Sequence, residues 1–511
     1  MINKIIKFLP ALFAVCIMAT AVSVAVPVSY AAEGEGNAAT ESLDFMTEPP
    51  QTKTVRGAGE GTVTYEPKSN GSAVITMDNA TTESYFTVSY NGPNYVNAAL
   101  AATGEITLVL VGKNTVYIDS SSCSPLFFYD ANVTVSGEGL LNICYKNDSS
   151  QNFNATPFHV CGDYAVSGSS FADTGNLTME SGSIIISAKG SSSSGAVTAN
   201  NDITVKGGSI TTEGRATGLY SVYRDVIALG GEIKCTDFTA NGIYTRRGGI
   251  RVDGAKVTLE SEQNRYVFGM YSKVDGKDVS ENAGKISVES GELFVKSPYL
   301  GIYACGSPEL EGSGSISISG GAVNVECKSA KDLVAGIYAE IDDDSPNGKI
   351  EVSGGSVYVN TQSDYSGEDG STVGICATGK AEFSDCSVTV NASGAENVTA
   401  YAVSAGSVML DCDFSLAGTT GATDVPPRFG AGIIPSASAS GAEGEYETYD
   451  PEKHGTYKYI VYETVTPEPS VPITGEGGLP AGAIVGIALG SAAAIAAVIV
   501  IVLVIKKRKT I

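Results

Sequence analysis

One unit recurs along the chain and limits what it can fold into: an alternating strand, a turn built on glycine, and a second alternating strand. Residues 285–296, KISVESGELFVK, are a clear copy. Others are ITVKGGSITT from Ile203, VIALGGEIKC from Val226, IRVDGAKVTL from Ile250, ISISGGAVNV from Ile316 and IEVSGGSVYV from Ile350. LTMESGSIII from Leu177 belongs to the set, and AEFSDCSVTV from Ala381 and SVMLDCDFSL from Ser407 are weaker members. Counted from the second turn residue, positions five and three before it and two and four after it are mostly apolar, as with Ile316, Ile318, Val323 and Val325 around Gly321. The residues between them are mostly polar or small. Period-two alternation on both sides of a bend means that one face of each strand is buried.

The turn anchors (Gly182, Gly208, Gly231, Ala255, Gly291, Gly321, Gly355, Cys386 and Cys412) lie 23 to 36 residues apart. A repeat of this length builds a solenoid, because each unit buries its apolar face only against its neighbours. After most anchors comes a third short strand, Gly-apolar-Tyr, at Gly218, Gly242, Gly269, Gly301 and Gly336, with Gly-Ile-Cys at Gly374. Three short strands per unit without an intervening helix predict an all-β fold, a single-stranded parallel β-helix with like residues stacked about 4.8 Å apart. A β-sandwich is the competing architecture.

The organisation follows. Residues 1–31 carry Lys4 and Lys7, an apolar run and the cleavage-like Ser29-Tyr30-Ala31, the pattern of a signal peptide. Residues 32–60 form an aperiodic leader. Residues 61–463 are the β-helix: cap and first coils at 61–175, regular coils at 176–418, and a C-terminal cover at 419–463, in which TYKYIVYE from Thr456 is a strand laid back on the last coil. About ten coils would stack to about 50 Å. A Pro/Gly stalk at 464–480 leads to 481–505, uncharged and long enough to span a bilayer. The basic tail 506–511 is then cytoplasmic and the bulk of the chain extracellular.

The net charge is −24, and −30 once the six basic residues of the signal and tail are set aside. Such a surface repels nucleic acid and anionic lipid and can attract divalent cations. Only two histidines occur, His159 and His454, so no Ser-His-Asp or Cys-His constellation is evident. The cysteines are too sparse for a small disulfide scaffold; Cys386 and Cys412 share a column in neighbouring coils, within reach of a disulfide on Cα spacing, although parallel side chains would strain it.

Three features suggest a ligand. The first is the column Tyr220, Tyr244, Tyr271, Tyr303 and Tyr338, each after an apolar inward residue and so facing out. A flat aromatic strip suits the C–H face of sugars, while a structural ladder covered by loops is the other reading. The second is an arginine cluster: Arg215, Arg224, Arg246, Arg247, Arg251 and Arg265, with Arg224 expected to stack on Arg246/Arg247. Guanidinium forks match carboxylates, which points to acidic glycans; pairing with Asp225, Asp237, Asp253 and Glu260 is the alternative. The third is the acidic loop of Asp342, Asp343 and Asp344, with Asp364, Glu368 and Asp369 further on, which offers oxygen ligands for Ca²⁺ or simply solvated turns.

The run of GG-turns followed by Gly-Ile-Tyr strands resembles the right-handed β-helix carbohydrate-binding proteins on Gram-positive bacterial surfaces, of pectate-lyase-like fold. The resemblance implies a non-catalytic binder of extracellular polysaccharide, of acidic glycans in many cases and with Ca²⁺ in some members. Those members carry Asp beside the Gly of the third strand, where this chain has Thr217, Asn241, Phe268, Leu300, Ala335 and Val373. An adhesin or structural wall protein, or a polysaccharide lyase, are the alternatives. Val471-Pro472-Ile473-Thr474-Gly475 ahead of the apolar span resembles a sortase sorting signal, cut between Thr474 and Gly475, with Val471 where most members have Leu. It implies attachment to peptidoglycan; a plain membrane anchor is the alternative.

Overall fold

The computed structural model describes residues 43–46, 53–56, 61–82, 85–90, 94–118, 124–145, 156–162, 173–187, 195–263, 266–276, 278–342, 347–367, 370–395 and 398–417, and the strands Arg428–Phe429, Ile433–Ser438, Glu447–Thr448 and Tyr459–Thr464. The segments expected to be signal peptide, stalk, apolar span and basic tail, most of the expected leader and the expected sorting residues Pro472, Thr474 and Gly475 lie outside them, as do Cys123, Arg265, Asp343, Asp344, Glu368, Asp369 and His454. No helix among the described residues is long and apolar enough to cross a membrane.

The described residues form an all-β solenoid in which one sheet of 33 strands is linked throughout by hydrogen bonds. The repeat units pair in parallel, each copy with the next. Leu177–Met179 pairs with Ile203–Val205, that strand with Val226–Ala228, and the latter with residues 250–252. The second strands stack likewise, Ser183–Ser187 on Ser209–Glu213 and then on Glu232–Thr236. The third strands do the same, Thr217–Ser221 on Asn241–Thr245 and then on Phe268–Lys273. Parallel register between successive repeats excludes the hairpin pairing a sandwich requires.

The apolar alternation explains the core. Ile316, Ile318, Val323 and Val325 are all buried in one continuous cluster, as are Leu219, Ile243, Met270, Ile302 and Ile337 from the third strands. Each such side chain contributes about 1.5–3 kcal/mol, against 1 kcal/mol or less for a surface ion pair such as Lys206–Glu180. Inward stacking therefore sets the register. The turn needs a left-handed residue, supplied by the anchor glycine at Gly208 (φ 69°) and Gly321 (φ 78°). Where the anchor is Ala255, the positive φ moves to Gly254; where it is Cys386, it moves to Asp385.

The glycine of the third strand serves another purpose. A Cβ on Gly301 would overlap Val325 Cγ1 and lie 2.5 Å from the carbonyl oxygen of Gly336 in the next coil, and one on Gly336 would overlap Val359 Cγ1. The third strand lies close against the second there, and only a missing side chain allows the contact.

A polar ladder runs up one corner, just ahead of the first strands. Asn132 Oδ1 accepts from the Asn176 amide, Asn176 Oδ1 from Asp202 N–H (3.1 Å), Asp202 Oδ1 from Asp225 N–H (2.9 Å), and Asp225 Oδ1 from Gly249 N–H (2.8 Å). Each rung satisfies a backbone donor that the corner would otherwise strand.

Both ends of the stack carry antiparallel strands. Thr62–Pro67 pairs with Ser72–Asp78, which begins the parallel stacking on residues 105–111. Tyr459–Thr464 lies antiparallel on residues 414–417, and Ile433–Ser438 on Tyr459–Thr464. Strands laid across the ends occupy edges that would otherwise template aggregation.

Candidate ligand-binding face

The third strands carry the chemistry. Register pairs Tyr220, Tyr244, Tyr271, Tyr303 and Tyr338 in one column that continues to Cys376. Successive ring centroids are 5.0, 5.1, 4.8 and 5.3 Å apart, with planes within 9–19° of parallel. The rings point away from the solenoid core, but their faces are spent on one another. The flat strip expected from sequence is instead a ladder that presents ring edges and hydroxyls. The coil rise of about 4.8 Å matches the centroid spacing of offset-stacked rings, so a column of identical residues closes face to face.

The ladder changes character along its length. Tyr220, Tyr244 and Tyr271 are half-buried, whereas Tyr303 and Tyr338 are 6% exposed. The flanking column explains the change: Thr217 and Asn241 at one end give way to Phe268, Leu300, Ala335 and Val373. Phe268 stacks on Tyr271 at 4.9 Å, Tyr299 meets Phe268 edge-on, and these residues close a second apolar cluster outside the core. At the polar end Asn241 Nδ2 donates to Thr217 Oγ1 (3.3 Å), while the buried Asn241 Oδ1 has no hydrogen-bond partner.

Two residues past Tyr220 comes Val222, and past the other four tyrosines, on the same face, stand Arg246, Lys273, Cys305 and Glu340, the last three in direct register. Arg246 Nε bonds Asp275 Oδ2 at 2.5 Å and its guanidinium also bonds Tyr220. Burial works against the Arg246 charge, but Asp275 more than offsets it and holds the group above its ordinary value. Burial likewise opposes ionisation of Asp275, and Arg246 reverses that, holding the carboxyl low. At the buried end the hydroxyls of Tyr303 and Tyr338 both donate to Glu340, the latter at 2.5 Å. Burial pushes both phenols far up, so they remain donors.

The arginines of the sequence cluster are dispersed. Gly248, rather than an arginine, sits against the Arg224 carbonyl, so the expected stack of Arg224 on Arg246/Arg247 does not form. The guanidinium of Arg247 lies over the Tyr223 ring instead, 5.2 Å from its centroid, an arrangement that avoids two like charges at coil spacing. Arg251 is on a first strand, away from the tyrosines, and pairs with Asp253 (2.9 Å) and Glu289 (2.7 Å). Arg215 is 1% exposed, and burial lowers its pKa to about 10.

Cys305, Glu340 and Asp342 bring ligand atoms within 4.8 Å of one another, the group among the described residues that metal-ligand geometry picks out. A thiol beside two carboxylates suits a borderline-soft cation better than Ca²⁺, which takes oxygen ligands. Asp364 is engaged by Lys328 (3.6 Å) and Gln362 (2.8 Å).

One pairing escaped the sequence reading. Cys161 Sγ lies 3.1 Å from His159 Nε2, both on the outer face of one third strand, with His159 edge-on to Phe127. The His-x-Cys spacing on a strand was the available signal. Burial lowers the imidazole to about 4 and drives the thiol up, so the pair stays neutral and makes no thiolate nucleophile. No protein-family model, curated protein or solved structure matches the chain.

Proposed function

We propose that the chain is a right-handed β-helix displayed on the cell surface, which binds acidic extracellular polysaccharide without catalysing its cleavage. The observation that supports this reading is the half-buried end of the tyrosine ladder. There the edges of Tyr220, Tyr244 and Tyr271 run in one column, with Arg246 and Lys273 two residues past the second and third of them and the unpartnered Asn241 acceptor in the flanking column. An extended glycan laid along the axis would meet a phenol hydroxyl at each step and a cation at two of the three, and its carboxylates would compete with Asp275 for Arg246. In a strongly acidic chain such a local cationic column selects for acidic rather than neutral sugars.

Retention on immobilised polygalacturonate and on a neutral glycan tests the reading. Polygalacturonate should retain the protein at low salt and release it as ionic strength rises. Arg246→Ala with Lys273→Ala should abolish retention. Failure to bind any acidic glycan at low salt, with the fold intact by circular dichroism, would remove the proposal. The sequence pattern Pro472-Ile473-Thr474-Gly475 supports covalent anchoring; a wall-digest peptide ending at Thr474 is the expected product.

A further inference from the structure

We propose that Cys386 and Cys412 are joined by a disulfide that ties two consecutive coils together near the C-terminal end of the stack. Their sulfurs lie 3.0 Å apart, both side chains are buried (9% and 3% exposed), and both belong to the solenoid core. The register places them side by side: Ser384 pairs with Asp411 and Ser387 with Asp413, so the two cysteines occupy one bulge in neighbouring parallel strands. Strands about 4.8 Å apart fall within the Cα window of a disulfide.

The residue type is not dictated by the turn. The same column holds glycine at Gly321 and Gly355, and at Cys386 the left-handed conformation has moved to Asp385. Nor do other described cysteines meet in this way. Cys235 has Thr212 and Leu259 as its register neighbours, and Cys327 has Ser297 and Thr361. The paired cysteines fall where stacking is weakest, since a coil near the end of a solenoid has fewer coils to pack against.

In the reaction the two S–H bonds break and one S–S bond forms. Two electrons and two protons pass to a disulfide-bearing thiol oxidant, whose own S–S bond opens to two thiols through a mixed-disulfide intermediate. Once the coils close, both sulfurs are shielded; the contact with Cys412 and burial push the Cys386 thiol up, which makes it a poor nucleophile. Exchange therefore belongs to folding after export, and the finished bond resists reductant until the coil opens.

The full chain, purified from an exporting host, is denatured with N-ethylmaleimide and digested without reduction. A linked peptide containing residues 386 and 412, two hydrogens lighter than the sum of its parts, is the expected result. Maleimide on both cysteines overturns the proposal. A second measurement compares thermal melting with and without reductant. The wild-type midpoint should fall by about 3 °C or more, while the Cys386→Ser, Cys412→Ser double variant should be indifferent to reductant. Equal responses of the two proteins overturn the proposal as well.

Discussion

Asp202 accepts a 2.9 Å hydrogen bond from the backbone N–H of Asp225, the equivalent residue one coil on. Two carboxylates thus stand at coil spacing in a column whose preceding rungs, Asn132 and Asn176, are neutral amides. Burial raises the Asp202 pKa and the Asp225 charge raises it further, against the pull of the Asp225 N–H and Arg224. The acceptor oxygen is what the ladder needs, and the negative charge is what it tolerates.

Asp202→Asn keeps the acceptor and removes the charge, so this variant should melt above wild type at pH 7. Between the ordinary carboxylate value of 3.8 and the raised folded value, the folded chain holds the proton more firmly than the unfolded one. Wild-type stability therefore falls as pH rises through that window. The advantage of Asp202→Asn should be constant above the window and vanish towards pH 3.8. Asp202→Ala removes the acceptor and should cost about 1–2 kcal/mol in urea unfolding. A pH-independent gap between wild type and Asp202→Asn would show that the charge carries no penalty.

Gly301→Ala tests the close approach of the third strand. The added methyl meets Val325 Cγ1 and the Gly336 carbonyl, one a side chain that can move and the other backbone that cannot. A loss of about 1–3 kcal/mol is expected. Adding Val325→Ala should recover only part of it, because the carbonyl remains in the way. Full recovery in the double variant would locate the constraint in the side chain alone.

Tyr338→Phe separates the ladder from its hydrogen bonds. The ring still stacks on Tyr303, but Glu340 loses one of its two phenolic donors in a buried site. The expected cost is about 1–3 kcal/mol, the range for leaving a buried acceptor short of a donor. Tyr244→Phe, at the half-buried end, should change stability by much less and weaken polygalacturonate retention instead. Comparable losses of stability at both positions would mean that the ladder has no distinct ligand-facing end.

The coil and its register were legible because they follow from local rules. Ile316, Ile318, Val323 and Val325 alternate about a glycine turn, and the alternation fixes which side is in. The tyrosine column was legible for the same reason. Its ring orientation was not, since stacking depends on the χ angles and on Phe268 and Tyr299, which reach over from the neighbouring segments. The arginine positions failed on a one-residue offset: Gly248 rather than Arg247 aligns with Arg224, and the turn length that decides this has no periodic signature. The corner ladder of Asn132, Asn176, Asp202 and Asp225 sits one residue ahead of each first strand, a regularity that stacking could have exposed.

His159 makes the described part of the β-helix sensitive to acid. Burial lowers its pKa from 6.5 to about 4, so between those values the unfolded chain takes a proton that the folded chain refuses. Stability then rises with pH across the window; it is complete above about 6.5 and is lost as pH falls towards 4. The full effect is up to about 3 kcal/mol. His159→Phe should remove this slope, and its ring fits beside Phe127, which pairs with His159 in register. Urea unfolding at a series of pH values from 4 to 7 measures the difference between wild type and variant. The two curves should draw apart as pH falls below about 6.5 if His159 is the titrating group, since wild type loses stability there and the variant does not, while the gap at pH 7 reports what the imidazole contributes through its contact with Cys161. Parallel curves would assign the acid sensitivity to other groups.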